Sequence, residues 1–462
     1  MQKPGSTQTV PPGSTFKVYI WHFLILPIFG LFIQPVCAQQ GTPLSLSDGL
    51  QMAFERNLIL QMAQADLQKA QEQVRETTAD LLPQLNVSLT YNRNWLLPSF
   101  VLDTPAGRQR STFGTHNNVD GVLSLRQPLF SGGKIVAARN EARLFSDITQ
   151  EEVRATRQQV QAEVEIAFYN AKVAHELLRV NRLALERTET NLQQVKELRS
   201  AGRVSGYELL RAQVQVASLH PDLIRAQNDL AIAEVAFKNI IGMDQSRHIE
   251  LTGGFQRLPH LDGVSLEDLI HRGLSSRPEM RQLGSQLEMR AQSVKIARAA
   301  SWPTIDLLAS SRLQIQSNTL DFNQDDVSKS WFSGLSIAFP VFDGFRTRAR
   351  VAKGKADLRR AELERQQLER NIRVQIRQAW LALKAAKQQM EAESQVVVQA
   401  QQGLTIAEAR YKTGVGTQLE LIDAQLVLTQ SEAQYAQAQR DRAVALVHLE
   451  QAVGVLGKTD KK

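Results

Sequence analysis

The sequence offers few residues whose type and spacing could do chemistry, and the clearest are two carboxylates near its end. Glu420 and Asp423 stand three residues apart in a helical pattern, so they lie on one helix face. Several copies of such a pair around an axis would form a ring that favours cations and resists close approach of like charges. The alternative interpretation is an ordinary solvated helix face, and the residues alone leave both open.

Other residue types that enzymes and metal sites use are scattered along the chain. The sequence contains no Gly-rich phosphate loop, nucleophile elbow or metal-ligand spacing. Histidines without an evident partner stand at His116, His175, His220, His248, His260, His271 and His448. The sequence therefore predicts that the protein is not an enzyme and that it holds no metal and no cofactor.

The N-terminal segment has the pattern of a signal peptide. An apolar run from Val18 to Ile33 follows a lysine-containing stretch and precedes the small-residue segment Val36-Cys37-Ala38. We predict that 1–38 is removed, which leaves a mature chain without cysteine. Two alternatives remain open: an uncleaved anchor, or a lipoprotein acylated on Cys37, although Gln34-Pro35-Val36 fits a lipobox poorly.

Composition indicates long helices and argues against nucleic-acid binding. Aromatic residues make up only 6% of the chain, and Ala/Gln-rich stretches such as 399–409 and 433–445 favour closely packed helices. The net charge is +7, but basic residues alternate with Glu, Gln and Ala instead of clustering with aromatics. The sequence therefore predicts no nucleic-acid partner.

The chain contains the same pattern twice. A shift of 220 residues superposes Ser45 on Ser265 and Pro83 on Pro303, among other matches. A shift of 212 residues then superposes Pro128 on Pro340, Gly132 on Gly344, and Gly202 on Gly414. The shift changes between the two prolines of each unit, where a loop can accept an insertion at low cost. The sequence therefore predicts an internal duplication.

Each unit begins with a helix and continues with two strands. The first helix is predicted over about 46–82 and again over 266–301, and it closes at a proline. Apolar and polar residues then alternate with a period of two, which predicts β-hairpins over 84–129 and 304–340. Polar loops are predicted at 98–118 and 317–329. We place helix–strand junctions at Pro83, Pro128, Pro303 and Pro340.

Long helical hairpins follow the strands in both units. Each ascending helix is predicted to span roughly 65 residues, or about 100 Å, before a turn near 202–206 or 413–417. A return helix ends near Gly242 or Gly454. Pro221 is expected to kink or break the first return helix. Such hairpins would expose apolar faces when alone, so oligomerisation is expected.

The strands lead to the same expectation. Four strands cannot enclose an aqueous lumen, and open sheet edges are not tolerated in lipid, so several chains would have to form one barrel. The alternative is a pair of isolated periplasmic hairpins on a soluble coiled coil. The predicted division is a signal peptide, a first repeat, an inter-repeat segment, a second repeat and a tail, at 1–38, 39–243, 244–263, 264–457 and 458–462.

Five segments resemble the motifs of the outer membrane efflux protein family, the TolC-like channels, and the likeness extends from about residue 44 to 457. The segments are Leu46-Ser47-Asp48-Gly49-Leu50, Leu81-Leu82-Pro83-Gln84-Leu85, Pro128-Leu129-Phe130-Ser131-Gly132-Gly133, Tyr411-Lys412-Thr413-Gly414-Val415-Gly416-Thr417 and Leu419-Glu420-Leu421-Ile422-Asp423-Ala424-Gln425. The resemblance implies an α+β membrane protein, a homotrimer whose 12-stranded transmembrane β-barrel takes four strands from each protomer. A long α-helical coiled-coil tunnel in the periplasm would continue the barrel, with an equatorial belt around it.

The resemblance also implies a function and its partners. The chain would be the outer-membrane exit duct of a tripartite efflux pump or a type I secretion system, conducting substrate passively to the exterior. Its partners would be a periplasmic membrane-fusion adaptor, an inner-membrane pump of RND, MFS or ABC type, and outer-membrane lipid. The alternative is a periplasmic adaptor or a structural coiled-coil protein of the envelope. The cargo is not determined by the sequence.

Site residues follow from the resemblance position by position. The periplasmic tips that dock the adaptor would be Gly202-Arg203-Val204-Ser205 and Gly414-Val415-Gly416-Thr417, and Glu420 with Asp423 would form an acidic gate. The first repeat matches Glu420 with Glu208 but has Arg211 in place of the second acid. Some relatives carry an arginine latch after the turn, where this chain has Gln418, so a salt-bridged latch stays in question.

Overall fold

The computed structural model describes residues 42–105, 107–255, 263–321 and 327–456. Its helices are α1 Leu46–Arg56, α2 Leu58–Ala79, α3 Lys134–Ser200, α4 Gly206–Ile240, α5 Leu266–Ser276, α6 Pro278–Ala299, α7 Arg346–Lys412 and α8 Gln418–Val453. Its strands are β1 Thr42–Leu44, β2 Gln84–Arg93, β3 Ser99–Thr104, β4 Gly107–Thr112, β5 Asn117–Phe130, β6 Ile249–Leu251, β7 Thr304–Ser317 and β8 Val327–Ala338. The predicted signal peptide, the tail 458–462 and part of the inter-repeat segment lie outside the described residues.

The helices of the first half recur in the second half with lengths that agree to within one residue. The short helices α1 and α5 have 11 residues each, and α2 and α6 have 22 each. The long helices α3 and α7 have 67 residues each, a length of about 100 Å at 1.5 Å per residue. Their return helices α4 and α8 have 35 and 36 residues. Among the described residues, no helix combines the length and the apolar character needed to cross a membrane.

The first helix of each unit is broken, where the sequence predicted one continuous helix. Asn57 ends α1 with an extended backbone (ψ 122°), and its side-chain oxygen caps α2 by accepting from Ile59 N and Leu60 N. Arg277 has the same extended backbone (ψ 132°) because Pro278 follows it. Asn57 and Pro278 therefore each interrupt a helix. The apolar periodicity continues across both positions and did not reveal these breaks.

Pro221 does not break the first return helix, so the predicted break was wrong, whereas a kink at Pro221 stays a prediction. Residues 206–240 form one helix with Pro221 inside it. A proline removes one backbone N–H donor from the helix, and α4 packs along the length of α3, so tertiary contact outweighs the local cost. The prediction that 98–118 is only a loop was also wrong, because β3 and β4 pair there as an antiparallel hairpin.

Two buried cores lie near the middle of the long helices α3 and α7. In the first, Phe168 of α3 meets Phe237 of α4 edge to face, with ring centroids 5.8 Å apart. Gly49 allows α1 to pack against Phe237, since a Cβ at Gly49 would lie 3.0 Å from Phe237 Cζ. In the second, Gly273 of α5 receives Ile376 of α7, and a Cβ would lie 2.4 Å from the Ile376 Cδ1 atom. Both cores thus fix a short helix against a long one.

Four strands form one antiparallel sheet in the order β2-β5-β7-β8. The hairpins β2–β5 and β7–β8 come from the two halves of the chain, and the β5–β7 pairing joins them. A separate parallel pair, β1–β6, lies beside the first core. Strands β2 and β8 each have one edge without a partner in the described chain. One chain therefore supplies a strip of sheet with two open sides.

The junction prolines do not all lie where the sequence placed them. Pro83 and Pro303 directly precede β2 and β7, as expected of helix–strand junctions. Pro340 lies between the end of β8 and the start of α7. Pro128 lies inside β5, at an irregularity in its pairing with β7, so its assignment as a junction is corrected. A bulge allows a residue without an N–H to remain in a strand.

Candidate functional site

The first tip is a tight turn between α3 and α4. Gly202 has φ +69°, a conformation that glycine adopts without a steric penalty. The N–H of Arg203 donates to the Leu198 carbonyl at 2.9 Å and closes the end of α3. Ser205 then starts α4 with a capping box, in which Ser205 Oγ accepts from the Glu208 N–H and the Glu208 carboxylate accepts from the Ser205 N–H. Glu208 is therefore occupied with capping its own helix.

The second tip is the turn between α7 and α8. Gly414 has φ +79°, and the N–H groups of Val415 and Gly416 both donate to the Arg410 carbonyl, at 3.0 and 2.9 Å. A Cβ on Gly416 would lie 2.9 Å from Arg410 Cβ and 3.1 Å from the Tyr411 nitrogen. Thr417 caps α8 by accepting from the Glu420 N–H at 3.2 Å. This turn leaves no room for a side chain at position 416.

The acidic pair lies on the first turn and a half of α8, and both side chains are exposed. Glu420 Oε2 is 3.5 Å from Arg410 Nε, an ion pair across the tip in which each side chain is about half exposed. Asp423 lies one turn further along α8 and is in none of the ion pairs found among the described residues. Sequence reasoning missed Arg410, whose only signal was its place ten residues before Glu420 across a turn.

The two tips are in contact with each other. The Gln418 side chain is buried, and its Nε2 donates to the Glu208 carbonyl at 3.1 Å. Tyr411 lies beside the same part of α4, where burial and the nearby Glu208 carboxylate raise the pKa of its phenol. At position 418 the chain therefore has a neutral hydrogen bond between its two hairpins. Sequence reasoning considered Gln418 only as a missing arginine.

A groove runs between α7 and α8 above the second tip. Ile406, Ala424 and Val427 line it, and Glu420 lies at its lower end with Arg410. Ile406 is 62% exposed and Val427 is 50% exposed. Among the described residues no group of histidines, cysteines and carboxylates could hold a metal ion. The features at this end of the molecule are thus two glycine turns, two carboxylates and apolar helix surface.

The sheet separates apolar from polar side chains. On β2, Leu85, Val87 and Leu89 lie on one face, and Asn86 and Ser88 lie on the other. The register carries this division across all four strands. A sheet with one apolar face and one polar face suits a wall between lipid and water.

The motif for the outer membrane efflux protein family matches this chain twice, at residues 49–243 and 269–455. The chain belongs to the outer membrane efflux protein family. The two matched segments contain both long hairpins and both of their tips, together with all four strands of the β2-β5-β7-β8 sheet. The prediction that this is an outer-membrane protein of efflux systems, made from the resemblance, is confirmed.

Individual members of the outer membrane efflux protein family are similar over most of their length. Protein CyaE of Bordetella pertussis is 27% identical over 373 residues, covering 78% of this chain and 77% of its own. The probable outer membrane lipoprotein SilC of Salmonella typhimurium is 26% identical, covering 87% of this chain and 84% of its own. A membrane protein of Pseudomonas aeruginosa, solved by crystallography, superposes with a TM-score of 0.74 at 25% identity, covering 88% of this chain and 93% of its own.

The matched family is described as one of outer membrane efflux proteins. The fold is that of the family, mostly helical with a small number of strands. The chain is therefore located in the outer membrane and acts as an exit duct for efflux.

Proposed function

We propose that three copies of this chain close a 12-stranded barrel in the outer membrane and form one continuous duct with a helical tunnel below it. The observation that carries this proposal is the four-stranded sheet with unpaired edges at β2 and β8. Backbone groups at an open edge cannot remain unpaired in lipid. Pairing β8 of one copy with β2 of the next would satisfy both edges, and three copies give a barrel wide enough for a lumen.

The helical arms support the same assembly. Apolar side chains on α7 and α8 are exposed in the single chain, including Val398 at 56% and Ile406 at 62%. Isolated helical hairpins of this length would leave such surface in water, whereas neighbouring hairpins in a ring would cover it. The equal lengths of α3 and α7 support a duplication, in which both helical hairpins form equivalent parts of the wall of one tunnel.

In this proposal, the gate and the surface that docks the adaptor both lie at the tips of the helical hairpins. Glu420 and Asp423 would each occur three times around the axis, which favours cations and holds like charges apart. The turns 202–205 and 414–417 would meet the hairpins of a periplasmic adaptor, which connects the duct to an inner-membrane pump. A relative is named for pyoverdine export and another for cation efflux, so ducts of this family serve different cargo.

Reconstitution tests the assembly. We expect the purified protein to migrate as a trimer in unheated gels, to shift to the monomer on boiling, and to give stepwise conductance in planar bilayers. The physical reason is that edge pairing in all three copies resists detergent until heat opens the sheet. A protein that high salt alone releases from envelopes, as a monomer without conductance, would rule out the barrel and favour a structural coiled coil.

The gate is tested by removing its charge and keeping its volume. In Glu420→Gln with Asp423→Asn we expect divalent-cation block of the channel to weaken by about tenfold, because six carboxylates disappear from one constriction. Single-channel recordings with increasing Mg²⁺ measure this. The control is Glu391→Gln with Glu393→Gln, which removes as many acids from α7 away from the tip. If the tip variant still conducts and its block by divalent cations is unchanged, Glu420 and Asp423 do not form the gate.

A further inference from the structure

The polar face of the four-stranded sheet carries few fixed charges, and each of them is paired. In the described strands β2, β5, β7 and β8, the charged residues on this face are Asp120, Arg126, Asp306 and Arg312. The other charged strand residues, Arg93 and Lys329, fall on the apolar face near strand ends. The remainder of the polar face consists largely of uncharged side chains such as serine, asparagine, glutamine and threonine.

The four charges form two ion pairs across the β5–β7 pairing. Arg126 contacts Asp306 through two atoms, with Nη2 at 3.2 Å and Nε at 3.3 Å from the carboxylate oxygens. Arg312 Nε lies 3.3 Å from Asp120 Oδ1. Both pairs are diagonal, because Arg126 lies opposite Leu308 and Arg312 opposite Val122.

The arrangement is symmetric about the seam between the two halves of the chain. Each strand contributes one arginine and one aspartate, and the two are six residues apart on both strands. Six residues of antiparallel strand span about 20 Å. Strand β5 therefore carries its positive charge at the level where β7 carries its negative charge, and the reverse holds at the other level. Neither level has a net charge.

We propose that these two ion pairs keep the barrel wall from selecting ions by charge, because in each pair the arginine cancels the charge of the aspartate at one level of the pore wall. The proposal rests on the closed barrel of the proposed function, in which the polar face lines the lumen. Each level would carry three arginines and three aspartates, so the wall itself excludes neither anions nor cations. A duct of this kind suits cargo of either charge, with discrimination left to the tips and to the pump.

A purely structural role for the pairs predicts a different result. If they only clamp β5 to β7, neutralising one partner changes barrel stability but not ion preference. If they hold the wall neutral, removing one sign exposes a ring of the other, and counter-ions accumulate beside unpaired wall charges. Removing the aspartates should then favour anions, and removing the arginines should favour cations. The sign of the change separates the two roles.

The experiment is the reversal potential of single channels in a KCl gradient, measured in a Glu420→Gln, Asp423→Asn background so that the tip acids do not dominate. For Asp120→Asn with Asp306→Asn we expect the chloride-to-potassium permeability ratio to rise at least about threefold. For Arg126→Gln with Arg312→Gln we expect it to fall by a similar factor. The exchanged pair Arg126→Asp with Asp306→Arg should keep the ratio of the background protein.

The control is Asp103→Asn, which breaks the Asp103–Arg108 pair on the β3–β4 hairpin, outside the four-stranded sheet. If a double variant fails to assemble, Asp120→Asn and Arg312→Gln alone carry the same test with opposite expected signs. Unchanged ratios in variants that conduct would overturn this inference and leave the proposed duct intact. Absence of conductance in the unaltered protein would instead overturn the duct, and this inference with it.

Discussion

Arginine in place of Leu89 is expected to remove most of the protein from the outer membrane. Leu89 lies mid-strand in β2 on the apolar face, and its side chain is 74% exposed in the single chain. In a barrel that face contacts lipid, where an arginine at the bilayer midplane costs about 2 to 4 kcal/mol. Three copies meet in each barrel, so every trimer would carry the cost three times. The measurement is the amount of heat-modifiable trimer in the outer-membrane fraction.

The adjacent residue supplies a matched control. Ser88 lies opposite Val122 on the polar face of the same strand. An arginine there would point into water, so Ser88→Arg should reach the membrane at close to the normal level. If both variants accumulate equally, the apolar face does not contact lipid, and the assignment of the two faces is wrong.

The second large effect is expected at the tip between α7 and α8. In Gly416→Ala the new Cβ would lie within 3.1 Å of two backbone atoms, the Arg410 carbonyl carbon and the Tyr411 nitrogen. Because backbone cannot move aside as a flexible side chain can, the turn must open, at a cost of about 1 to 3 kcal/mol. We expect export with a cognate adaptor to be lost, because the docking turn is no longer formed.

Site-specific cross-linking measures this directly. Cross-linkers at Val204 and Val415 should both reach a co-expressed adaptor in the unaltered protein. In Gly416→Ala the Val415 product should disappear, and the Val204 product should persist. The control is Gly403→Ala, because a Cβ at Gly403 meets no atom within 4 Å and alanine is favourable inside a helix. Trimer formation should be normal in both, since the strands lie far from this tip. Retained export in Gly416→Ala would contradict the assignment.

Periodicity and repetition were sufficient to predict the main elements of the fold. The alternation of Leu85, Val87 and Leu89 with polar residues predicted β2, and the long stretch between each hairpin and the following glycine turn predicted α3 and α7. These signals extend over many residues, so single exceptions do not hide them. The breaks at Asn57 and Pro278 were missed because each depends on one capping or proline residue within a continuing pattern.

The candidate site could be predicted less completely. The positions of both turns follow from their glycines, but the Arg410–Glu420 pair and the Gln418 bond to α4 are contacts across a turn or between hairpins. No local pattern encodes them. Phe345 illustrates the same limit: it adopts φ +63° where the first half of the chain has Gly133. A phenylalanine gives no indication of a left-handed residue, so that conformation could not be read from its type.

The equal length of α3 and α7 determines the shape of the duct's inner end. Both helices follow strands of the same sheet and both have 67 residues, and their two tips are in contact through Gln418 and the Glu208 carbonyl. In the proposed trimer six turns would form a flat, nearly six-fold rim, although only three chains are present. A partner could then engage that rim with six similar subunits as readily as with three. Lengthening only one of the two helical hairpins by a single helical turn would move every second tip of the rim out of the common plane.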